Sequence, residues 1–168
     1  RVSLWLEALE PGKPLSFLDH HIRIGNSLLG ATPELIARGL PDEAFNPIEG
    51  DDKKFCSALR KRNKQEREGQ RDMLHLMVAE TKAEYNSIQE RTRGIDQAPD
   101  DNIDEIHRKA EQFHRLVVSP DYQHTQQVAD AWCAAFVWRK QAKAPFEPLT
   151  TDTIRRLEAD PNALTPGQ

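Results

Sequence analysis

A mainly α fold, with a few antiparallel helices packed as a bundle, is what this sequence predicts, and three observations carry it. The eleven prolines fall in two groups, five between positions 11 and 47 and six from 99 onward, so the 51 residues 48–98 hold none. Proline is strongly disfavoured inside helices, and a polar window of that length without one points to long helices. Further on, Ile103, Ile106, Ala110, Phe113 and Leu116 recur at helical spacing. Ser, Thr and Asp residues, twice followed by Pro, stand where such helices would start.

Taken in order, residues 2–10 read as a helix end with Val2, Trp5, Leu6 and Leu9 on one face, stopped by Pro11-Gly12. His21–Ile24 reads as a short strand, and Gly25-Asn26-Ser27 as a turn. Thr32 caps a short helix with Pro33 at its first position, ending near Gly39. Residues 51–93 read as one long helix or two. Asp51 or Asp52 is the N-cap, Phe55 and Leu59 begin an apolar stripe, and Met73, Leu76, Met77 and Val78 resume it. Gly69 is the expected break and Gly94 the expected stop, because glycine costs about 1 kcal/mol in a helix interior. Another helix covers 101–118, with the acidic residues of 100–104 at its N-terminus. Ser119-Pro120 opens a helix running to about Gln141, where Val128, Trp132, Ala135, Phe136 and Trp138 are apolar. Residues 151–159 form a last short helix capped by Thr150 or Thr151. No internal repeat is present.

The chain has 168 residues, which suits one domain or one domain with a fragment of another. Its 23 Lys and Arg against 27 Asp and Glu give a net charge of −4. That excludes a uniformly basic nucleic-acid binder and leaves room for a local basic patch. Charged residues make up 30%, so a large solvated surface is expected, while three Trp, six Phe and two Tyr argue against wholesale disorder. No run approaches the roughly eighteen apolar residues of a membrane span, so no membrane partner is expected. Cys56 and Cys133 are too few for a disulfide framework and read as two buried thiols in a reducing cytoplasm. The chain opens on Arg1 inside an apolar run and closes on Pro166-Gly167-Gln168, and the expectation is an interior piece of a larger protein.

The residues that could carry chemistry are few. His107, Glu111 and His114 share roughly one helix face, and Glu111-x-x-His114 has the spacing used by di-iron bundles. Such bundles need a second motif and two more Glu. The nearest candidates, Asp72-x-x-His75 and Asp104-x-x-His107, carry Asp instead, so a charged solvated face is the better account and no metal is expected. His20, His21 and His124 lack the CxxC or HExxH context of a metal site. Asn46-Pro47-Ile48-Glu49 reads as a turn. No GxSxG, P-loop or GxGxxG is present, and no catalytic residue is assigned. The charge run is the stronger signal. Between positions 53 and 71 lie Lys53, Lys54, Arg60, Lys61, Arg62, Lys64, Arg67 and Arg71, against only Glu66 and Glu68. On a helix this is a basic stripe that could meet phosphates; nothing in it reads base sequence.

The stretches LWLEAL (4–9), FLDHHIR (17–23) and GNSLLG (25–30) together resemble a segment of the AdoMet-dependent DNA adenine-N6 methyltransferases of type II restriction–modification enzymes and of the BREX and DISARM phage-defence systems. The resemblance covers about thirty residues of 168. It implies that residues 1–33 are a piece of the α/β methyltransferase core, 34–164 a helical insertion and 165–168 a tail. It also implies S-adenosyl-L-methionine as the parent protein's cofactor, with Asn26 and Ser27 at its site, since ligands bind outside the carboxyl ends of strands in a doubly wound sheet. An Asn amide carries both a donor and an acceptor for the adenine ring. DNA, and possibly other defence-system subunits, are the implied partners. The family's Asn-Pro-Pro-aromatic tetrapeptide, which holds a flipped adenine, has no match here: Asn46-Pro47-Ile48-Glu49 lacks the second Pro and the aromatic. The chain alone is expected to be inactive.

Overall fold

Side chains that accept the first free N–H groups set most helix starts in this protein. The computed structural model describes residues 2–7, 17, 21, 30–69 and 74–163, and side chains among these outside positions 2, 4, 5 and 74–84. Among the described residues there are seven α-helices, one 3-10 helix and no strand. The helices are α1 (Val2–Glu7), α2 (Pro33–Ala37), α3 (Lys53–Glu68), α4 (Leu74–Gln97), α5 (Ile103–Val117), α6 (Pro120–Val137) and α7 (Thr151–Ala159). The mainly α class is therefore observed. Of the predicted strand, His21 lies in a turn, and residues 22–24, like Asn26 and Ser27, lie outside the described residues.

Thr32 Oγ1 accepts from the Leu35 N–H at 3.3 Å, with Pro33 at the first helical position of α2. Asp52 Oδ1 accepts from Lys54 and Phe55 N–H at 2.8 and 3.3 Å and starts α3. Asn102, inside the predicted acidic stretch, caps α5 through the Glu105 N–H at 3.0 Å. Thr150 caps α7, its N–H donating to Thr153 Oγ1 at 3.4 Å. Pro120 opens α6 as predicted, but the Ser119 hydroxyl turns back and donates to the Leu116 carbonyl at 2.6 Å.

Two boundaries and one element differ from the sequence expectation. Gly69 does end α3, whereas Gly94 does not stop α4, which continues to Gln97. Ile88 and Ile95, 8% and 5% exposed and two turns apart, are buried on one face of α4, and their burial outweighs the cost of the exposed Gly94 between them in sequence. Helix α6 ends at Val137 and not near Gln141, because Lys140 leaves the helix to bond elsewhere, as described below. The 3-10 helix Asp42–Phe45, which no periodicity predicts, buries Ala44 and Phe45 almost completely.

The chain divides into two units, one from described residues of 1–27 and 86–123, the other from those of 28–85 and 124–168. In the first, Phe17 and Phe113 lie with ring centroids 5.6 Å apart. The Lys109 ammonium, 5% exposed as a residue, donates to the Asp96 and Ala98 carbonyls at 3.2 and 3.1 Å and lies 3.6 Å from Asp100. A cation there satisfies acceptors left over at the C-terminus of α4 and complements its dipole. In the second unit, Ile36, Leu40, Phe45, Leu59, Val128, Trp132, Leu149, Ile154 and Leu157 belong to one buried core.

A polar knot crosses that second core. Asn63, 0% exposed, donates from Nδ2 to the Leu40 carbonyl at 2.8 Å. Its Oδ1 accepts from the Thr151 N–H at 2.9 Å and from the Thr151 hydroxyl at 2.7 Å. Thr151 Oγ1 accepts in turn from the Leu40 N–H at 3.0 Å. The neighbouring Gly39 has φ +77°, and a Cβ there would stand 2.7 Å from Thr151 Cγ2 and 2.8 Å from its Oγ1. Glycine at 39 is required both by the left-handed backbone and by the close approach of α7.

Two glycine substitutions should move stability in opposite directions. Gly39→Ala is expected to lower the unfolding free energy by at least about 2 kcal/mol, from the left-handed backbone and the clash. Gly94→Ala meets open space in a helix interior and is expected to raise it by about 0.5–1 kcal/mol. Urea titration of the two variants reads both signs. Asn63→Ala strands three buried polar groups and is expected to cost about 2–4 kcal/mol in the same measurement.

Candidate nucleic-acid interface on helix α3

Residues of an α-helix follow one another at about 100° around the axis, so the inward position of Asn63 settles where its neighbours point. Cys56, Leu59 and Asn63 are buried, with Phe55 and Glu66 partly so. Lys54 and Lys61 on the opposite side, and Lys53 and Lys64 on the adjoining flank, are all exposed. No carboxylate among the described residues pairs with any of these four lysines. Along the axis they span about 16 Å at 1.5 Å per residue. One DNA strand presents a phosphate about every 3.4 Å of its own axis, so several phosphates fall within reach of the set.

The arginines of the same run are committed within the chain. Arg60 Nη2 donates to Asn46 Oδ1 at 2.6 Å. Arg62 Nε donates to Glu66 Oε1 at 2.8 Å, while Glu66 Oε2 accepts from the Asp152 N–H at 3.0 Å at the start of α7. Arg67 pairs with Asp42 of the 3-10 helix. Arg71 lies outside the described residues. The eight-residue basic stripe thus resolves into an open lysine face and arginines that tie α3 to its surroundings. The first N–H groups of α3 are already taken by Asp52, which leaves ammonium groups as the means of meeting an anion here.

A buried ion pair holds the N-terminal end of α3. Asp51 and Lys140 side chains are each 1% exposed, with Nζ 3.8 Å from Oδ2. The Lys140 N–H donates to Asp51 Oδ1 at 2.8 Å, and the Asp52 N–H donates to the Lys140 carbonyl at 3.1 Å. The Lys140 ammonium also donates to the Trp138 carbonyl at 3.0 Å and, at 3.4 Å, to that of Phe136 in the last turn of α6. Burial opposes ionisation of Asp51, but N–H donors from Lys140 and Ile48, with the positive charges of Lys140 and Arg139, outweigh it and hold the carboxyl below its ordinary range. Burial, reinforced by the Asp51 charge, pushes the Cys56 thiol up, and burial with Asp130 does the same to Cys133. Both thiols therefore stay protonated at neutral pH and neither suits a nucleophile.

The remaining sequence candidates have structural partners or open surroundings. Asn46 of the Asn46-Pro47-Ile48-Glu49 turn is the acceptor for Arg60. His107 and His114 are exposed, Glu111 pairs with Arg115 at 2.6 Å, and no group of metal-ligating side chains able to hold an ion occurs among the described residues. Asp72 lies outside the described residues. His124 Nε2 lies 2.7 Å from the Leu157 carbonyl, which accepts from it. His21 pairs with Asp96 at 3.2 Å. No described helix is long and apolar enough to cross a membrane. Sequence reasoning missed the Asp51–Lys140 pair, since residues 89 apart carry no local signal. It also assigned no role to 141–148, where Phe146 between Pro145 and Pro148 was the available clue.

Compared with models of protein families, with curated proteins and with solved structures, the chain finds no match in any of the three.

Removing one partner of the buried pair leaves the other charge uncompensated, so Asp51→Ala is expected to cost about 3–5 kcal/mol. The lowered folded pKa of Asp51 means that its stabilisation is present above the ordinary carboxylate pKa and is lost as pH falls through the folded value. Urea melts from neutral pH down to about pH 3 should show a shallower acid decline for Asp51→Asn than for the unaltered chain.

Proposed function

We propose that this chain supplies a DNA-contacting helical region to an AdoMet-dependent DNA adenine-N6 methyltransferase of the restriction–modification or phage-defence class. The observation that carries the DNA contact is the lysine face of α3, four exposed ammonium groups with no carboxylate partner among the described residues, beside arginines that are paired within the chain. An unpaired set of like charges on one helix face is self-repelling, and a polyanion relieves that repulsion while releasing counterions. Contact through lysines is backbone contact: it positions a duplex and carries no sequence preference.

The methyltransferase part of the reading is supported by the resemblance of residues 2–30, in which Asn26 and Ser27 would meet S-adenosyl-L-methionine. In such an enzyme the methyl group passes to adenine N6 after the base is flipped out of the stack. The basic helix would then hold the duplex beside the reacting site, a role that rests on fold analogy. This chain has no Asn-Pro-Pro-aromatic tetrapeptide, so methyl transfer to DNA by the chain alone is expected to stay at background. Turnover above background would refute the placement of the catalytic residues outside it.

The phosphate contact is tested by titrating a blunt DNA duplex with the chain at rising salt. Binding at about 50 mM salt should weaken steeply by about 200 mM. The triple variant Lys54→Glu, Lys61→Glu, Lys64→Glu should bind at least about tenfold more weakly and flatten the salt dependence by about two to three units of log–log slope. All three side chains are exposed, so the fold should survive the change. Unaltered affinity in this variant, or no binding at low salt, would leave a helical module that meets another protein.

A further inference from the structure

We propose that the groove between α3 and residues 141–148 seats an unpaired nucleobase, so that this face takes single-stranded or locally opened nucleic acid in preference to intact duplex. The inference rests on the reading that α3 meets phosphates. The groove has a volume of about 540 Å³, and Phe55, Ala58, Leu59 and Arg62 of α3 face Ala144 and Phe146 across it. Phe146 is 46% exposed, an aromatic ring left half in water beside an apolar hollow. Stacking a base on such a ring removes both apolar faces from solvent, and every base has a π face to offer.

The α3 rim carries cations, and the one carboxylate of the lining, Glu147, stands in the facing 141–148 segment. Ala58 lies in the groove wall, and its neighbours on the helix surface are Lys54 four residues before, Lys61 three after and Arg62 four after. Lys54 and Lys61 belong to the open lysine face, so the phosphates they would hold run directly past the hollow. In the facing segment Lys143, next to Ala144 of the lining, is exposed. A nucleotide has this same division, a flat weakly polar ring next to an anionic group.

The hollow is held open at both ends. At one end the Gln141 side chain donates to the Gly50 carbonyl, and Lys140 is tied to Asp51 and Asp52. At the other end Leu149 is 3% and Thr150 1% exposed, both fixed in the core. The loop between these anchors is a pre-formed wall, and a base entering it would not have to order it first.

Anisotropy titration of the 168-residue chain with a labelled oligo-thymidine strand and with a labelled blunt duplex, both at about 50 mM salt, tests this. The strand should bind more tightly than the duplex. Phe146→Ala should weaken strand binding by about 5- to 150-fold and leave duplex binding within about twofold. Phe146→Leu should behave like the alanine variant, and Phe146→Trp should keep full strand affinity. Unchanged urea midpoints in these variants establish that the fold is intact. Strand affinity indifferent to Phe146, equal losses on strand and duplex, or full affinity in Phe146→Leu each overturn the base slot; the last points to a peptide-like apolar contact. If lysine reversal abolishes duplex binding while Phe146 has no effect, only this proposal fails. If neither nucleic acid binds, the phosphate reading fails with it.

Discussion

Asn63 and its ring of hydrogen bonds are the constraint on which the second unit depends. One carboxamide joins its own helix to two segments 23 and 88 residues away along the chain, using its Nδ2 on Leu40 and its Oδ1 twice on Thr151. The Leu40 N–H closes the ring on the Thr151 hydroxyl. A buried polar network of this kind is worth having only when each member finds its partner, because a half-satisfied one costs more than an apolar core. The consequence reaches the surface. With Asn63 turned inward, α3 has no freedom to rotate, and residues 61 and 64 must face out. The direction of the lysine face is thus a result of a buried amide on the opposite side of the helix.

Around that point the chemistry of two cations separates. Arginine presents a planar fork that binds a carboxylate or amide oxygen with little loss of freedom, and Arg60, Arg62 and Arg67 each take an acceptor from their own chain. Lysine is a compact, strongly hydrated charge on a flexible stem, and Lys53, Lys54, Lys61 and Lys64 stay in water. Lys140 and Lys109 are the exceptions, and each is buried only because carbonyl and carboxylate oxygens replace its hydration. Both ammonium groups lie at the C-terminal end of a helix, that of Lys109 at α4 and that of Lys140 at α6, where unpaired carbonyls and the dipole favour a positive group. Lys140 does more than cap α6. Through Asp51 it fixes the start of α3, so the two walls of the groove at 141–148 are anchored by the same ion pair.

Local rules were enough for most of the helical framework. Thr32 with Pro33, Asp52, Pro120 and Thr150 begin helices for reasons visible within four residues, and Gly69 ends one. The rules failed where distant burial entered. Gly94 stays helical because Ile88 and Ile95 are buried on either side of it in the sequence, and α6 stops at Val137 because Lys140 is drawn to Asp51. The 3-10 helix at 42–45 exists to insert Phe45 into the core, and a four-residue element has no period to detect.

The same division runs through the candidate site. That 53–68 forms a basic helical stretch was determined by residue order alone, since charge and helix propensity are local properties. Which of its cations remain available was decided largely in three dimensions, by Asn46 and Asp42 arriving next to Arg60 and Arg67, whereas Arg62 and Glu66 pair at i,i+4 within α3. The hollow beside Phe146 likewise arises from the approach of 141–148 to α3, an approach made by hydrogen bonds across about ninety residues of chain. Such contacts depend on which surfaces meet after folding, and no spacing along the chain encodes that by itself.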